Sequence, residues 1–283
     1  MKARADLHIH SHFSDGLYSP TTLVKTAEEK GLGGMALTDH DTVEGCTEFM
    51  DAIRHSDIKG IPGVEVSAEY QDQEIHVLGY FVPLGESEIE TRLRAIRKSR
   101  EERFPKMVKK MRDIGIEIDQ TKVDKILKGV ESPGRPHLAR ILIEMGVVRD
   151  INEAFREYLV PGKPGYVKRE LIEIIESIGL LRASGAVPVL AHPLLIKDVD
   201  LRSFLSMLKS HGLEGVEVDY GYRKPELIDQ IERVRSYADE LKLVPTGGSD
   251  SHGDNGHFEL GSVGVPVEII NILRKKSDGI KNI

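Results

Sequence analysis

The chain predicts an α/β architecture whose strands can close into a barrel, with an all-helical segment inserted among them. Two observations carry this reading. Short β-like runs alternate with segments of helical period along most of the 283 residues, and from roughly 87 to 167 that strand rhythm stops. A third observation concerns chemistry: several of the 11 histidines stand beside Asp, Gly or Ser at the ends of apolar runs. In barrels, reactive groups sit on loops at the carboxyl ends of the strands.

The candidate strands are 5–10, 34–38, 63–67, 75–82, 186–191, 215–219 and 243–247. About seven such strands can close a sheet, and the helical segments between them favour a parallel arrangement. Between the first two, Ser19 reads as an N-cap and Pro20 as the first helical residue. Leu23 and Ala27 supply an i, i+4 apolar face there, and Gly31 the stop. In the inserted segment Ile89, Leu93, Ile96, Phe104, Met107 and Met111 fit one helical stripe, which Arg100 interrupts, with Arg103 close behind. Pro105 is expected to kink or break that helix after the arginines. Pro136 marks the first turn of another helix through Leu138, Ile141 and Leu142. The expected organisation is a barrel from 1–86 and 168–283, with 87–167 as a helical substrate-recognition insertion.

Composition excludes several classes. No apolar stretch approaches the ~20 residues of a bilayer-spanning helix, so a membrane protein is not expected. The first residues lack the apolar core of a secretory signal, which points to the cytoplasm. The sole cysteine, Cys46, can form neither an internal disulfide nor a cysteine-based zinc cage, so any metal must be held by His, Asp and Glu. A net charge of −7 argues against a broad basic surface for duplex nucleic acid and leaves room for a small anion site.

The period of two places Asp6, His8 and His10 on one strand face and Leu7 and Ile9 on the other. Two imidazoles inside a barrel are unfavourable unless satisfied, as a divalent metal would do; an exposed edge strand would show the same pattern. The other strands extend the theme. Ser14-Asp15-Gly16 follows the first strand, Thr38-Asp39-His40-Asp41 ends the second and Gly63-Val64-Glu65-Val66 belongs to the third. His76 lies in the fourth, Ala191-His192-Pro193 ends the fifth, and Gly248-Ser249-Asp250-Ser251-His252-Gly253 follows the last. Nearly every strand delivers a metal-ligand type.

These motifs, in this order over almost the whole chain, resemble the PHP (polymerase and histidinol phosphatase) superfamily. The insertion and its Gly134-Arg135-Pro136-His137 motif resemble the branch of TrpH/YciV-type phosphoesterases. The resemblance implies a distorted (β/α)7 barrel with a helical insertion. It also implies a metal-dependent phosphoesterase acting through metal-activated water. The expected reactions are removal of the 3′-phosphate of nucleoside 3′,5′-bisphosphates and 5′-to-3′ hydrolysis of short RNA. Three divalent ions are implied, one held by His8, His10, Glu65 and Asp250, one by Glu65, His76 and His192, and one by Asp15, His40 and His252. These nine residues are also the implied catalytic set, with Glu65 bridging. His12 falls at a position the family motif leaves variable and is excluded.

Mixed imidazole and carboxylate ligands suit Mn²⁺ first, with Zn²⁺ or Fe²⁺ as alternatives. Three carboxylates neutralise only half the charge of three divalent ions, so an acidic protein can still present a cationic pocket for phosphate. Asp39 and Asp41 flank His40 and either orient ligands or cap loops; Asp6 invites the orienting reading. Arg100 and Arg103 share a helical face, and guanidinium suits phosphate. Arg135 and His137 open the second helix, where backbone amides also receive anions. Alternatively, the arginines of the long helix extend to cap surface carboxylates. The expected partners are a nucleotide or short single-stranded RNA, with no duplex and no membrane. A histidinol-phosphatase-type metabolite phosphatase and a non-catalytic metal-binding module are the competing readings.

Overall fold

The computed structural model describes residues 4–85, 87–127, 134–168, 171–253 and 257–281, with the side chains at 100 and 101 outside that description. The chain divides into two units, Met1–Arg94 with Leu171–Ile283, and Ala95–Glu170.

The first unit carries the sheet. Its strands are β1 (Arg4–Asp6), β2 (Gly34–Leu37), β3 (Lys59–Tyr70), β4 (Gln73–Tyr80), β5 (Ile172–Glu173), β6 (Val187–Leu190), β7 (Gly215–Tyr220), β8 (Val244–Gly248) and β9 (Val265–Pro266). They are ordered β8-β7-β6-β4-β3-β2-β1-β9, with β5 paired to β3. The sheet nearly closes into a barrel where the Leu7 N–H donates to Gly247 O at 3.2 Å and Ile9 bridges Ser251. Gly248 permits this approach, since a Cβ there would lie 2.4 Å from the His8 nitrogen.

Alternate residues of β2 enter different apolar clusters, as a period of two requires. Ala36 packs with Ala5, Leu7, Ile61, Leu78 and Tyr80. Met35 and Leu37 pack with Leu23, Val24, Ala27 and Phe49 of the helices Pro20–Glu29 and Gly45–Ile53. The first of these helices begins as its sequence predicts, with the Ser19 hydroxyl accepting from the Thr22 N–H at 3.2 Å.

Three local features differ from the sequence reading. β4 runs antiparallel to both β3 and β6, so the sheet is mixed. Gln71 and Asp72, both at positive φ, reverse the chain in two residues, and no crossover helix is needed. The ladder of β1 ends at Asp6, because beyond it the chain bonds to neighbouring loops: the Ile9 N–H donates to the Thr38 hydroxyl and the His10 N–H to Ser251 O. Finally, the helix Glu88–Asp113 runs through Pro105. An interior proline costs a helix about 3 kcal/mol. Phe104, Met107 and Met111 offset this by burial in the core of the second unit, beside Leu138, Ile141 and Leu142 of the helix Arg135–Glu144. The described residues of 95–170 hold helices and no strand. Among all described residues, no helix is long and apolar enough to cross a membrane.

Candidate metal centre

The strand ends of the first unit bring together all nine residues that the sequence marked as ligands. Glu65, on β3, stands at the middle. Its Oε1 lies 2.9 Å from His76 Nδ1 and 3.1 Å from His192 Nε2, and those two ring nitrogens are 3.3 Å apart. Its Oε2 faces the other way, 3.3 Å from His8 Nε2, 3.2 Å from His10 Nε2 and 3.1 Å from His40 Nδ1. Asp250 Oδ1 adds contacts of 3.4 Å to His8 and 3.0 Å to His10. On the far side of His10, Asp15 lies 3.2 Å from His252 Nε2 and 3.7 Å from both His10 Nδ1 and His40 Nε2.

This donor set fits divalent ions. Among the described residues, His8 Nε2, both ring nitrogens of His10, His40 Nδ1, Glu65 Oε2 and Asp250 Oδ1 are buried with no hydrogen-bond partner. Buried polar atoms are otherwise paired, so six convergent orphans of metal-ligand type mark a place where a ligand outside the chain completes the bonding. Three groups have ligand atoms within 4.8 Å of one another: His8, His10, Glu65 and Asp250; His10, Asp15, His40 and His252; and His40, Glu65 and His76.

Protonation follows from the crowding. Burial pushes the Glu65 carboxyl up, but the imidazoles around it hold it well below the usual range. Burial works against a charged His10, yet Asp250 and Glu65 raise it to about 10, and Glu65 with Glu74 does the same for His76. Burial, with the charges of His10 and His76, takes His40 down to about 3 despite Glu65 and Asp15. The sole cysteine offers no rival nucleophile: the Cys46 thiol is buried, which raises its pKa, and it donates to Gly63 O.

The flanking aspartates organise loops. Asp6 accepts from the Ser249 N–H (2.9 Å), the Ser249 hydroxyl (2.6 Å) and the Gly261 N–H (2.7 Å), tying down the segment that carries Asp250. Asp39 accepts from the Ser11 N–H and from the Ser11 and Ser14 hydroxyls, each at 2.7 Å, beside the turn that presents Asp15. Asp41 accepts from the Ser67 N–H at 2.7 Å. His12 is exposed beside Phe13.

Three residues of the site escaped the sequence reading. Glu217, fully buried on β7, accepts from His8 Nδ1 at 3.0 Å and from the His192 backbone N–H at 2.8 Å. It thereby aims His8 Nε2 at the cluster and holds His192, whose φ of 28° is strained for a residue with a side chain. The signal was present: one acid between two valines of a buried strand needs a partner. The Tyr220 hydroxyl donates to Asp250 Oδ2 at 2.9 Å, leaving Oδ1 to the cluster. His257 stacks on His252 with ring centroids 3.8 Å apart.

The predicted phosphate-binding residues lie in the second unit. Arg103 Nε donates to Val167 O at 3.0 Å, and the Arg135 guanidinium sits 5.6 Å from the Phe155 ring centroid and 6.0 Å from that of Tyr166. His137 Nδ1 accepts from the Gly134 N–H at 3.1 Å, so this ring caps its own helix. The Arg100 side chain lies outside the described residues.

A barrel that gathers a buried His, Asp and Glu cluster at its strand ends defines a metal-dependent hydrolase. The chain belongs to the PHP domain family, whose model matches residues 6–256. It is 32% identical to a 3′,5′-nucleoside bisphosphate phosphatase of Chromobacterium violaceum, over 91% of this chain and 92% of that one. It is 33% identical to a 5′-3′ exoribonuclease of Haemophilus influenzae, over 92% of this chain and 94% of the relative. Among solved structures, a Bifidobacterium adolescentis protein assigned as a metal-dependent phosphoesterase superposes with a TM-score of 0.75 at 29% identity, covering 96% of each chain.

Proposed function

We propose that this chain is a metal-dependent phosphoesterase that removes the 3′-phosphate of nucleoside 3′,5′-bisphosphates and uses the same site for 5′-to-3′ hydrolysis of short RNA. The observation that carries the reading is the orientation of Glu65, whose two oxygens face separate groups of imidazoles. The residues that would hold ions are His8, His10, Glu65 and Asp250; Glu65, His76 and His192; and Asp15, His40 and His252, with Glu65 common to two of the sets. Mn²⁺ is the first choice, with Zn²⁺ or Fe²⁺ as alternatives. When bound, such ions supply Lewis acidity toward phosphate oxygens and an acidified water as nucleophile.

The protein's own part is positioning. Glu217 fixes the tautomer and direction of His8. Tyr220, held protonated by burial, orients Asp250 through its hydroxyl. Arg100, Arg103, Arg135 and His137 make the insertion the unit that recognises substrate phosphate. The acidic balance of the chain supports mononucleotides and short single strands over duplexes. The single buried thiol supports a cytoplasmic setting.

The test is Mn²⁺-supplemented phosphate release from adenosine 3′,5′-bisphosphate, with AMP and histidinol phosphate run beside it and Asp250→Ala as the blank. Preference for the bisphosphate is expected. Activity confined to histidinol phosphate would transfer the enzyme to metabolite phosphatases. Metal binding by the wild type without hydrolysis of any substrate would reduce it to a binding module.

A further inference from the structure

One cavity of the barrel unit has no place in the metal cluster yet shares a wall with it. It has a volume of about 400 Å³ and is lined by Leu194, Tyr222, Leu227 and Phe258, with Tyr220 and Asp250 on its boundary toward the cluster. Its parts come from the carboxyl ends of β7 and β8 and from the short helix Pro193–Leu195 that follows β6 and His192. A phosphoester held at the cluster would leave the rest of its molecule beside such a neighbour.

The walls are built and fixed. Tyr222 is buried, and its hydroxyl accepts from the Leu194 N–H at 3.2 Å. Its ring lies 4.9 Å from that of Tyr220, which lies 5.2 Å from His192, so an aromatic row leads from the cluster into the cavity. Phe258 lies flush against Gly221, where a Cβ would come within 2.3 Å of the ring; a glycine is therefore required for Phe258 to occupy this position. The Arg223 guanidinium is 5.0 Å from the Phe258 ring centroid. Lys197 and Lys224 also line the cavity, and Asp250 is the one carboxylate among its described lining residues.

Size and chemistry together select the occupant. The volume falls within the ~300–1,000 Å³ of small-molecule pockets. Aromatic and aliphatic walls suit a flat apolar body, while a guanidinium over a phenyl ring favours a π-rich partner with acceptor atoms over an alkyl chain. The two lysines of the lining suit a ligand that also carries phosphate. We infer that this cavity seats the nucleobase of the nucleotide whose phosphate enters the cluster. The inference rests on the nucleotide phosphoesterase reading above and adds the subsite that distinguishes a nucleotide from a bare sugar phosphate.

The chain contains no tryptophan, so one introduced at the cavity is a unique fluorescent reporter. Leu195→Trp uses a cavity-lining side chain that is 48% exposed and tolerates enlargement; Leu227→Trp is the second reporter should the first fold poorly. The folded variant is titrated with AMP, adenosine and ribose 5-phosphate. Quenching by AMP and adenosine, with none by ribose 5-phosphate, is the expected result. Phe258→Ala in the reporter background should weaken AMP binding about tenfold, the lower range of base-stacking losses. Equal quenching by ribose 5-phosphate, or none by AMP in either reporter while the wild type still releases phosphate from the bisphosphate, overturns the base site and leaves the catalytic reading standing. Base-selective quenching in a protein that hydrolyses no nucleotide supports the subsite and removes the phosphatase reading instead.

Discussion

The polar groups of the barrel and those of the helical unit handle hydrogen bonding in opposite ways. In the cluster, six buried nitrogens and oxygens converge without partners among the described residues. In the helical unit, Arg103 and Arg135 remain partly exposed; Arg103 donates to the carbonyl of Val167, Arg135 lies by the ring of Tyr166, and Lys110 donates to the Tyr166 carbonyl at 2.8 Å. The first arrangement is tolerable only if a ligand completes it. The second needs no such completion, because its cations have contacts inside the chain and are partly exposed to water. The strand ends thus hold groups that call for a ligand, and the helical unit holds cations with partners inside the chain.

Glu65→Gln tests the first half most severely. It removes the charge on which both groups of imidazoles converge, and phosphate release should fall at least about a thousandfold, since Lewis-acid assistance is worth several kcal/mol. Metal content, measured by elemental analysis, should fall with it; full activity in a folded variant would dissolve the distinction drawn between the units.

Glu217→Ala should act through its neighbours, lowering metal affinity or turnover by about 10- to 100-fold, the usual effect of losing a residue that orients a ligand. Chelator competition against wild type measures this. An unchanged affinity would show that His8 and His192 are positioned by packing alone.

Protons sharpen the same contrast. In the metal-free protein His10 and His76 have values raised from 6.5 to about 10. Their contacts with carboxylates stabilise the fold fully below 6.5, and that contribution is lost as pH rises through about 10. Metal loading runs the other way, because each ion must displace those protons, so apparent affinity should rise up to about tenfold per pH unit for each proton released. Calorimetry at pH 8 in buffers of different ionisation enthalpy counts them, and zero release would reject the assigned protonation.

Arg135→Ala should have the smallest effect. A partly exposed cation contributes up to about 1 kcal/mol, so KM for the bisphosphate should rise about fivefold with metal content unchanged. Loss of metal in this variant would place Arg135 among the supports of the cluster and erase the contrast.

Local pattern made much of this molecule readable before any fold was known. The alternation of Asp6, His8 and His10, the Ser19-Pro20 helix start and the ligand types at each strand end are properties of neighbouring residues, and short-range sterics and hydrogen bonding dictate them. The nine candidate ligands could be named because the ordered motifs around them resemble those of a known family. Other features depended on distant partners. Glu217 lies 209 residues from the imidazole it orients, and its value is set by a barrel closure that no local window contains. Gln71-Asp72 lacks the glycine that usually announces a two-residue reversal, so the antiparallel course of β4 rests on its ladders with β3 and β6. Pro105 breaks a helix by local rule, but burial of the residues around it outweighs that preference. Sequence by itself marked the candidate ligands and the local turns and caps around them. Tertiary structure alone decided which of them meet, because burial and long-range pairing, unlike turn and cap preferences, depend on residues far apart in the chain.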